Sequence, residues 1–287
     1  MNFSTHDRKM MARALVMAAK GRFTAAPNPA VGCVISIDEN IVGEGYTRPA
    51  GENHAEIEAL NMVQDPVGCC VYVTLEPCSH RGRTGPCAQA LIDAGVARVV
   101  IACEDPNPQV CGQGIQLLKD AGIEVDCGLL EDQARDLNQG FIKRHEHGLP
   151  WVLVKMAASM DGRTAMASGQ SQWVTTPASR HDVQKLRAKS CAIITGIGTQ
   201  LMDDPSLTVR ITSEQLGIDD VLQQPLRVVV DSQLQMSATA RMLLQPGKTL
   251  IATLDGKSQR EKAGALIAAG AEAVSYTHLT LPTTRYV

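Results

Sequence analysis

The sequence is poor in aromatic residues, with three Phe, four Tyr and two Trp among 287 residues. Few side chains are therefore available to stack on nucleobases. A net charge of -3 at pH 7 also leaves no broad basic surface for a phosphate backbone. These two absences predict a protein without a nucleic acid partner.

Long apolar runs are also absent. No stretch reaches the roughly 18 residues that cross a bilayer, and the first residues, MNFSTHDRKMMARALVMAAK, carry charges where a signal peptide needs its apolar segment. The apolar fraction of 44% is enough for two ordinary hydrophobic cores. We therefore expect a soluble, cytoplasmic protein of two domains, with no membrane partner.

The nine cysteines lack the even number expected of a disulfide framework, and they are scattered along the chain. Most should be small buried hydrophobes. Two stand in a more specific context, TLEPCSHRGRTGPC, where Cys78 and Cys87 each follow a proline. Cys78 also comes directly after a predicted buried strand, CCVYVTL, which ends at Glu76.

Helical and strand patterns alternate along the chain, which predicts α/β layers. A first helix is predicted from Asp7 to Lys20, with Thr5 as its N-cap. The polar stretch KRHEHGLP, residues 143–150, is the predicted domain boundary, and WVLVKMAAS, residues 151–159, is the predicted first strand of a second α/β domain. The predicted divisions are a deaminase domain at 1–147, a reductase domain at 148–274 and a non-native or disordered tail at 275–287, with no strand after the last helix.

His54 and Glu56 lie at the start of a predicted helix, HAEIEAL. The imidazole of His54 and the thiolates of Cys78 and Cys87 would supply three protein ligands to a tetrahedral zinc and leave the fourth position for water, as in catalytic sites. Glu56 would then carry a proton from that water to a departing amine. The pattern is that of the zinc deaminases, with eight residues between the cysteines in place of two.

Two alternatives are open at this point. One is a zinc deaminase of another nucleoside or of a tRNA base, with a non-catalytic second domain; the long interval between the cysteines disfavours it. The other is a structural zinc module, which needs a fourth protein ligand, and His80 and Cys69 are the nearby candidates. A plainer interpretation of Cys78 and Cys87 is a pair of buried free thiols.

Four motifs in the first half, NPAVG (28–32), HAEIEAL (54–60), YVTLEPCSHRGRTGPC (72–87) and DPNP (105–108), resemble the bifunctional pyrimidine deaminase/reductase family of riboflavin biosynthesis. Four more resemble its reductase domain: VKMAASMDGRTA (154–165), SQWVT (171–175), TGIGTQLMDDPSLTVR (195–210) and RVVVDS (227–232). The resemblance implies a cytidine-deaminase-like α/β/α sandwich followed by a dihydrofolate-reductase-like α/β domain, truncated here.

The resemblance implies two reactions on a phosphoribosyl pyrimidine. The first is zinc-dependent hydrolytic deamination of diaminohydroxyphosphoribosylaminopyrimidine, and the second is NADPH-dependent reduction of the ribosyl group to ribityl phosphate. Because the family's reductase continues past the end of this chain, the resemblance predicts deaminase competence with impaired or absent reductase activity. It also implies a dimer or tetramer formed through the reductase domain.

Site residues follow by matching position. Zinc is assigned to His54, Cys78 and Cys87, with Glu56 as proton shuttle and Asn28 and His80 as substrate contacts. The resemblance assigns NADPH to Ala157, Trp173, Thr199, Asp203 and Ser232, and the phosphoribosyl group to Ser171, Arg187, Leu207 and Arg210. It places Lys155 and Asp203 at the reacting centre. Arg187 and Arg210 suit a phosphate clamp because guanidinium binds phosphate in bidentate fashion. Arg81 and Arg83 lie in SHRGRTG, whose cationic and backbone donors suit a ribose phosphate; the plainer interpretation is a solvated basic loop.

Overall fold

The structure is a computed structural model that describes residues 3–79, 85–254 and 257–276. The chain forms two compact units, Met1–Val152 and Leu153–Val287. The elements of the first unit are α1 (Thr5–Gly21), β1 (Gly32–Ile37), β2 (Asn40–Tyr46), α2 (Ala55–Leu60), β3 (Cys70–Val73), α3 (Cys87–Asp93), β4 (Arg98–Ile101), α4 (Gln113–Asp120), β5 (Glu124–Cys127), α5 (Glu131–Leu137) and α6 (Gln139–His147).

The first unit is built on a five-stranded sheet of order β2-β1-β3-β4-β5. β1 is antiparallel to β2 and β3, whereas β3, β4 and β5 are parallel. Nearly every residue of β1, β3 and β4 is buried, so both faces of these strands are covered, as the short apolar runs of the sequence predict. The carboxyl ends of the parallel strands therefore meet at one edge of the sheet.

Helix α1 begins at Thr5, two residues before the predicted start at Asp7. Its N-cap is Ser4, not Thr5, because the Ser4 hydroxyl accepts the Asp7 N–H while the Asp7 carboxylate accepts the Ser4 N–H. Asp7 also accepts hydrogen bonds from the Tyr72 hydroxyl at 2.9 Å and from the Arg98 guanidinium at 2.8 Å. This carboxylate therefore joins α1 to β3 and β4. Burial raises the pKa of Asp7, but these hydrogen bonds outweigh burial and hold it well below its usual range.

A glycine lets α2 lie directly on β2. A methyl group at Gly45 would stand 2.3 Å from the Ala55 carbonyl oxygen and 2.6 Å from the Ala59 nitrogen. Only glycine permits this approach of helix backbone to strand backbone. Because α2 contains Glu56 and follows His54 directly, the contact fixes the position of both residues relative to the sheet.

Helix α6 extends through most of the polar stretch that predicts the domain boundary, and ends at His147 with Gly148 in the left-handed conformation. The elements of the second unit are α7 (Pro177–Ala188), β6 (Ala192–Gly196), α8 (Ile197–Asp203), α9 (Ser213–Leu216), β7 (Leu226–Val230), a 3-10 turn (Arg241–Leu244), β8 (Thr249–Leu254), α10 (Lys257–Ala268) and β9 (Ala271–Tyr276). Helices and strands alternate among them, as the sequence patterns predict. Its sheet is parallel, of order β6-β7-β8-β9.

Two predictions for the second unit are wrong. Residues 151–159 form no strand, and their apolar side chains, such as Val154 and Met156, are exposed at 75% and 72%. Apolar composition favours burial, but a strand also needs a neighbour to pair with. Conversely, Ala271–Tyr276 does form a strand. It pairs with β8 along its whole length, from Ala271 opposite Thr249 to Tyr276 opposite Leu254. Within the described residues, no helix has the length and apolarity to cross a membrane.

Candidate metal centre and reductase site

Three elements bring the predicted zinc ligands together. His54 is the N-cap of α2 with extended backbone, Cys87 is the first residue of α3 after Pro86, and Cys78 lies in the loop that follows β3. The ligand atoms of the three residues all lie within 4.8 Å of one another. In the part of the chain that the structure describes, this is the one cluster of His, Cys, Asp or Glu side chains with this geometry.

The distances fit a tetrahedral zinc. His54 Nδ1 lies 3.2 Å from Cys87 Sγ and 3.7 Å from Cys78 Sγ. Zinc at about 2.3 Å from sulfur and about 2.0 Å from nitrogen, with a tetrahedral angle, requires a nitrogen-to-sulfur distance of about 3.6 Å. The donor set therefore suits zinc without rearrangement of the backbone.

The surroundings of the Cys78 sulfur favour its thiolate form. It accepts the backbone N–H of Cys87 at 3.3 Å. Hydrogen bonds from the Cys87 thiol, His54 and the Cys87 backbone outweigh burial and lower the pKa of Cys78 to about 4. The thiolate is the form that binds metal.

Glu56 is buried, 3% exposed, beside the ligand cluster. The side chains of His54 and Cys78 lie close enough to act on the charge of its carboxylate. Burial, followed by the negative charge of Cys78, raises the pKa of Glu56 to about 7. A carboxyl group with this pKa can both accept and release a proton at neutral pH.

The fourth ligand that a structural zinc site needs is not supplied by Cys69. Cys69 precedes β3, whereas Cys78 follows it, and the Cys69 thiol donates to the Asp65 carbonyl oxygen at 3.8 Å. His80, the other candidate and a predicted substrate contact, lies outside the described residues, as do Arg81 and Arg83. The described ligands therefore number three, as in a catalytic site.

The loop that contains Asn28 is held by a residue that the sequence patterns do not reveal. Asn138, between α5 and α6, is 6% exposed. Its Oδ1 accepts the Ala30 N–H at 2.8 Å, and its Nδ2 donates to the Ala30 carbonyl at 2.9 Å. Asn28 itself is half-buried two residues earlier. A polar residue at a helix junction is a weak signal, because its partner lies 108 positions away.

In the second unit, α7 lies beside the segment that contains Leu207 and Arg210. The Arg187 guanidinium donates to the Thr208 carbonyl at 3.0 Å, and the Gln184 side chain accepts the Arg210 N–H at 3.0 Å. Burial, followed by the positive charge of Arg210, lowers the pKa of Arg187. The charge of Arg210 is therefore near enough to act on the Arg187 guanidinium.

The predicted cofactor residues of α8 and β7 share one edge of the sheet. Gly196 at the end of β6 pairs with Val230 at the end of β7, so Thr199 and Asp203 on α8 and Ser232 after β7 follow the same carboxyl edge. Ligands bind at this edge in parallel sheets. A methyl group at Gly196 or Gly198 would meet no other atom within 4 Å, so the turn is open to a phosphate.

The remaining predicted residues lie in the irregular segment before α7. Trp173 is 68% exposed, and the Arg180 guanidinium carbon lies 4.3 Å from its ring centre. Ala157 and Ser171 are half-buried, and Lys155 is exposed. Among the described residues, no hydrogen bond or ion pair joins the Lys155 amine to Asp203, and both residues are exposed.

Comparison with known proteins identifies the family. The cytidine and deoxycytidylate deaminase zinc-binding region matches residues 4–103, and the RibD C-terminal domain matches residues 150–282. The riboflavin biosynthesis protein RibD of Escherichia coli K12 is 54% identical over 252 residues, which are 86% of this chain and 69% of that protein. The chain belongs to the RibD family.

Two solved RibD structures have the same fold. Acinetobacter baumannii RibD, form 1, is 43% identical with a TM-score of 0.85, over 96% of this chain and 75% of that chain. The Thermotoga maritima diaminohydroxyphosphoribosylaminopyrimidine deaminase/5-amino-6-(5-phosphoribosylamino)uracil reductase is 32% identical with a TM-score of 0.84, over 95% of this chain and 74% of that chain. The predicted two-domain α/β fold is confirmed.

Membership of the family also confirms the predicted type of enzyme. RibD is a bifunctional deaminase and reductase of riboflavin biosynthesis, with a zinc-dependent deaminase domain and an NADPH-dependent reductase domain. The alternative of a nucleoside or tRNA deaminase with a non-catalytic second domain is not favoured, because the second half of the chain matches the RibD reductase domain.

Proposed function

We propose that the first unit deaminates diaminohydroxyphosphoribosylaminopyrimidine and that the second reduces the ribosyl group of the product with NADPH. The observation that carries the proposal is the cluster of His54, Cys78 and Cys87, whose ligand atoms lie within 4.8 Å of one another, beside the buried Glu56. His54, Cys78 and Cys87 would hold zinc, which when bound supplies a water with a pKa of about 7.

Glu56 is the proton carrier in this proposal. Its carboxylate takes a proton from the attacking water as oxygen adds to the ring carbon, and returns that proton to the amino group that leaves as ammonia. The bond between the ring carbon and the amino nitrogen breaks, the second proton of the water passes to the adjacent ring nitrogen and a carbonyl remains, so no redox partner is needed. Asn28, which is half-buried, and His80 would hydrogen-bond the substrate, and the pairing of Asn138 with Ala30 would keep Asn28 in place.

The second unit would bind NADPH at the carboxyl edge of its sheet. Thr199, Asp203 and Ser232 would contact the cofactor there, and the open turn at Gly196 would receive a phosphate. Ala157 and Trp173 would complete the site. NADPH when bound supplies the hydride, and Lys155 and Asp203 are the proposed polar groups at the reacting carbon.

The phosphoribosyl end of the substrate would bind beside α7. Arg187 and Arg210 are the proposed phosphate ligands, with Leu207 and Ser171 beside them, and the repulsion between the two guanidinium groups would be relieved by the anion. We also propose a cytoplasmic homo-oligomer that acts on a free small molecule without nucleic acid. The nine free cysteines and the net charge of -3 support this.

The deaminase proposal is tested by Glu56→Gln beside Glu58→Gln, a matched control two residues further along α2 whose carboxylate accepts the Asn53 side-chain N–H at 2.8 Å. Glu56→Gln should retain zinc and lose ammonia release by about 100-fold or more, the usual contribution of a general acid–base group. Glu58→Gln should retain both. Full ammonia release by zinc-loaded Glu56→Gln would contradict the shuttle.

The reductase proposal is tested by fluorescence titration with NADPH. Gly198→Val fills the open turn and should weaken NADPH binding about tenfold, which corresponds to about 1.4 kcal/mol. Ammonia release by the same variant should not change. Equal NADPH binding by the variant and the wild type would place the cofactor elsewhere.

A further inference from the structure

A second buried glutamate, Glu76, lies directly before residues 77–79, a segment that contains Cys78 and that we call the zinc loop. Glu76 is not used in the proposed reaction. It is 3% exposed. Its Oε1 accepts the N–H groups of Gly114 and Ile115 at 2.9 and 3.2 Å, and its Oε2 accepts those of Gly112 and Asp105 at 3.0 and 3.2 Å. A carboxylate has about four acceptor positions, so this one is fully occupied by backbone donors.

These bonds join Glu76 to two pieces of chain that lie 29 to 39 positions further along the sequence. Asp105 belongs to the loop after β4, whereas Gly112, Gly114 and Ile115 belong to the first turn of α4. The Glu76 backbone N–H donates to the Cys103 carbonyl at 2.9 Å, at the end of β4. Glu76 is therefore held by both its backbone and its side chain.

The peptide that follows Glu76 leads straight to a zinc ligand. Only Pro77 separates it from Cys78, and the ring of proline restricts the backbone between them. A methyl group at Gly114 would stand 2.0 Å from the Pro77 carbonyl oxygen, so α4 packs directly against this peptide. The position of Cys78 is thus coupled to α4 through contacts on both sides of Pro77.

We propose that Glu76 is a positioning residue for the zinc, which holds Cys78 in its ligand position by clamping the Pro77 peptide to α4 and to the loop after β4. Its oxygens are not available to move protons, because all four acceptor positions receive backbone N–H groups. The inference rests on the proposed zinc site. It goes beyond helix capping, because a cap alone would stabilise α4 without affecting the metal.

Glu76→Gln is the first test. The amide keeps the size of the side chain but turns one acceptor oxygen into an NH2 group that faces backbone donors. Competition with a chelator should show zinc affinity reduced by about 10- to 100-fold, as for other groups that support metal ligands. The visible spectrum of the cobalt-substituted protein should change as well.

Asp7→Asn is the matched control, because Asp7 is also a buried carboxylate with several hydrogen bonds but contacts α1, Tyr72 and Arg98 instead of the zinc loop. It should lower the thermal stability and leave zinc affinity and the cobalt spectrum unchanged. If both variants lower stability and neither alters zinc affinity, Glu76 is a structural cap and the proposal is overturned.

Gly114→Ala gives a second test that leaves Glu76 intact and remains decisive if Glu76→Gln does not fold. Alanine favours a helix, yet here it must push α4 away from Pro77, so zinc affinity should fall. Gly140→Ala is its control, since the added methyl meets only Trp151 Cβ at 3.9 Å. Equal zinc affinity of both variants would contradict the clamp.

Cys78→Ala separates this inference from the site on which it rests. Loss of zinc by Cys78→Ala, together with the affinity loss in Glu76→Gln and Gly114→Ala, supports the proposal. Loss of zinc by Cys78→Ala with wild-type affinity in the other two variants overturns the positioning role alone. Retention of zinc at wild-type affinity by Cys78→Ala overturns the zinc site itself.

Discussion

Replacement of Asp7 by asparagine tests how the first unit is held together. The Asp7 carboxylate accepts hydrogen bonds from the Ser4 backbone and hydroxyl, the Tyr72 hydroxyl and the Arg98 guanidinium, all at 2.8 to 2.9 Å. Asparagine has one acceptor oxygen in place of two, and its NH2 group would face donors. The change therefore removes about half of this network and its negative charge.

The expected loss follows from the bonds that disappear. A hydrogen bond to a charged group contributes about 1.5 to 3 kcal/mol, and asparagine keeps about two of the four. Arg98 retains its bond to Asp126 at 2.6 Å, so its charge stays paired. We therefore expect the free energy of unfolding to fall by about 3 kcal/mol at pH 7, less than the upper limit for breaking a buried pair.

The loss should depend on pH with a defined sign. Because the folded-state pKa of Asp7 lies below its ordinary value of 3.8, its contribution is complete above that value and is lost as the pH falls towards the folded-state pKa. Urea unfolding with chelator present, so that zinc binding does not enter, should show the wild type and variant converging below about pH 4. The reasoning would be refuted if the wild type and Asp7→Asn had equal free energies of unfolding at pH 7. It would also be refuted if the difference between them were the same at pH 3 as at pH 7.

Three further outcomes are expected. Gly45→Ala should lower the free energy of unfolding by about 2 kcal/mol or more, because α2 must move away from β2; chemical denaturation measures this, and a neutral result would contradict the close contact. Asn138→Leu should raise the KM of deamination about tenfold with zinc content unchanged, because Ala30 loses both of its hydrogen bonds to the Asn138 side chain. An unchanged KM would exclude the positioning role of Asn138. Arg187→Lys should weaken the binding of the phosphate-bearing substrate more than the binding of NADPH. Equilibrium titration with each ligand measures this, and a larger loss for NADPH would contradict the assignment.

Local patterns are enough to propose the three zinc ligands. His54 and Glu56 open a helix, and Cys78 and Cys87 follow prolines, so each signal lies within a few residues of its ligand. The partners of Glu76 lie 29 to 39 positions away, and those partners are backbone N–H groups with no side-chain signature. The same applies to Asn138. Both positions therefore become visible only when the fold brings the partners together.

Strand predictions differ in success for a related reason. β3 and β4 are continuous apolar runs and are buried on both faces, so composition identifies them. β9, Ala271–Tyr276, has the mixed sequence AEAVSY, and its identity as a strand comes from pairing with β8. Residues 151–159 have the composition of a strand without the pairing. Composition indicates which segments are buried, but a segment forms a strand only where a neighbouring strand is available to pair with it.

The central claim is a zinc site with three protein ligands and a fourth position open to water. X-ray absorption at the zinc edge of the purified chain tests it directly. We predict two sulfur ligands at about 2.3 Å, from Cys78 and Cys87, with one imidazole nitrogen and one further oxygen at about 2.0 Å. A zinc coordination shell completed by a fourth protein nitrogen or sulfur would contradict the claim. An unchanged coordination shell in Cys78→Ser would contradict it as well.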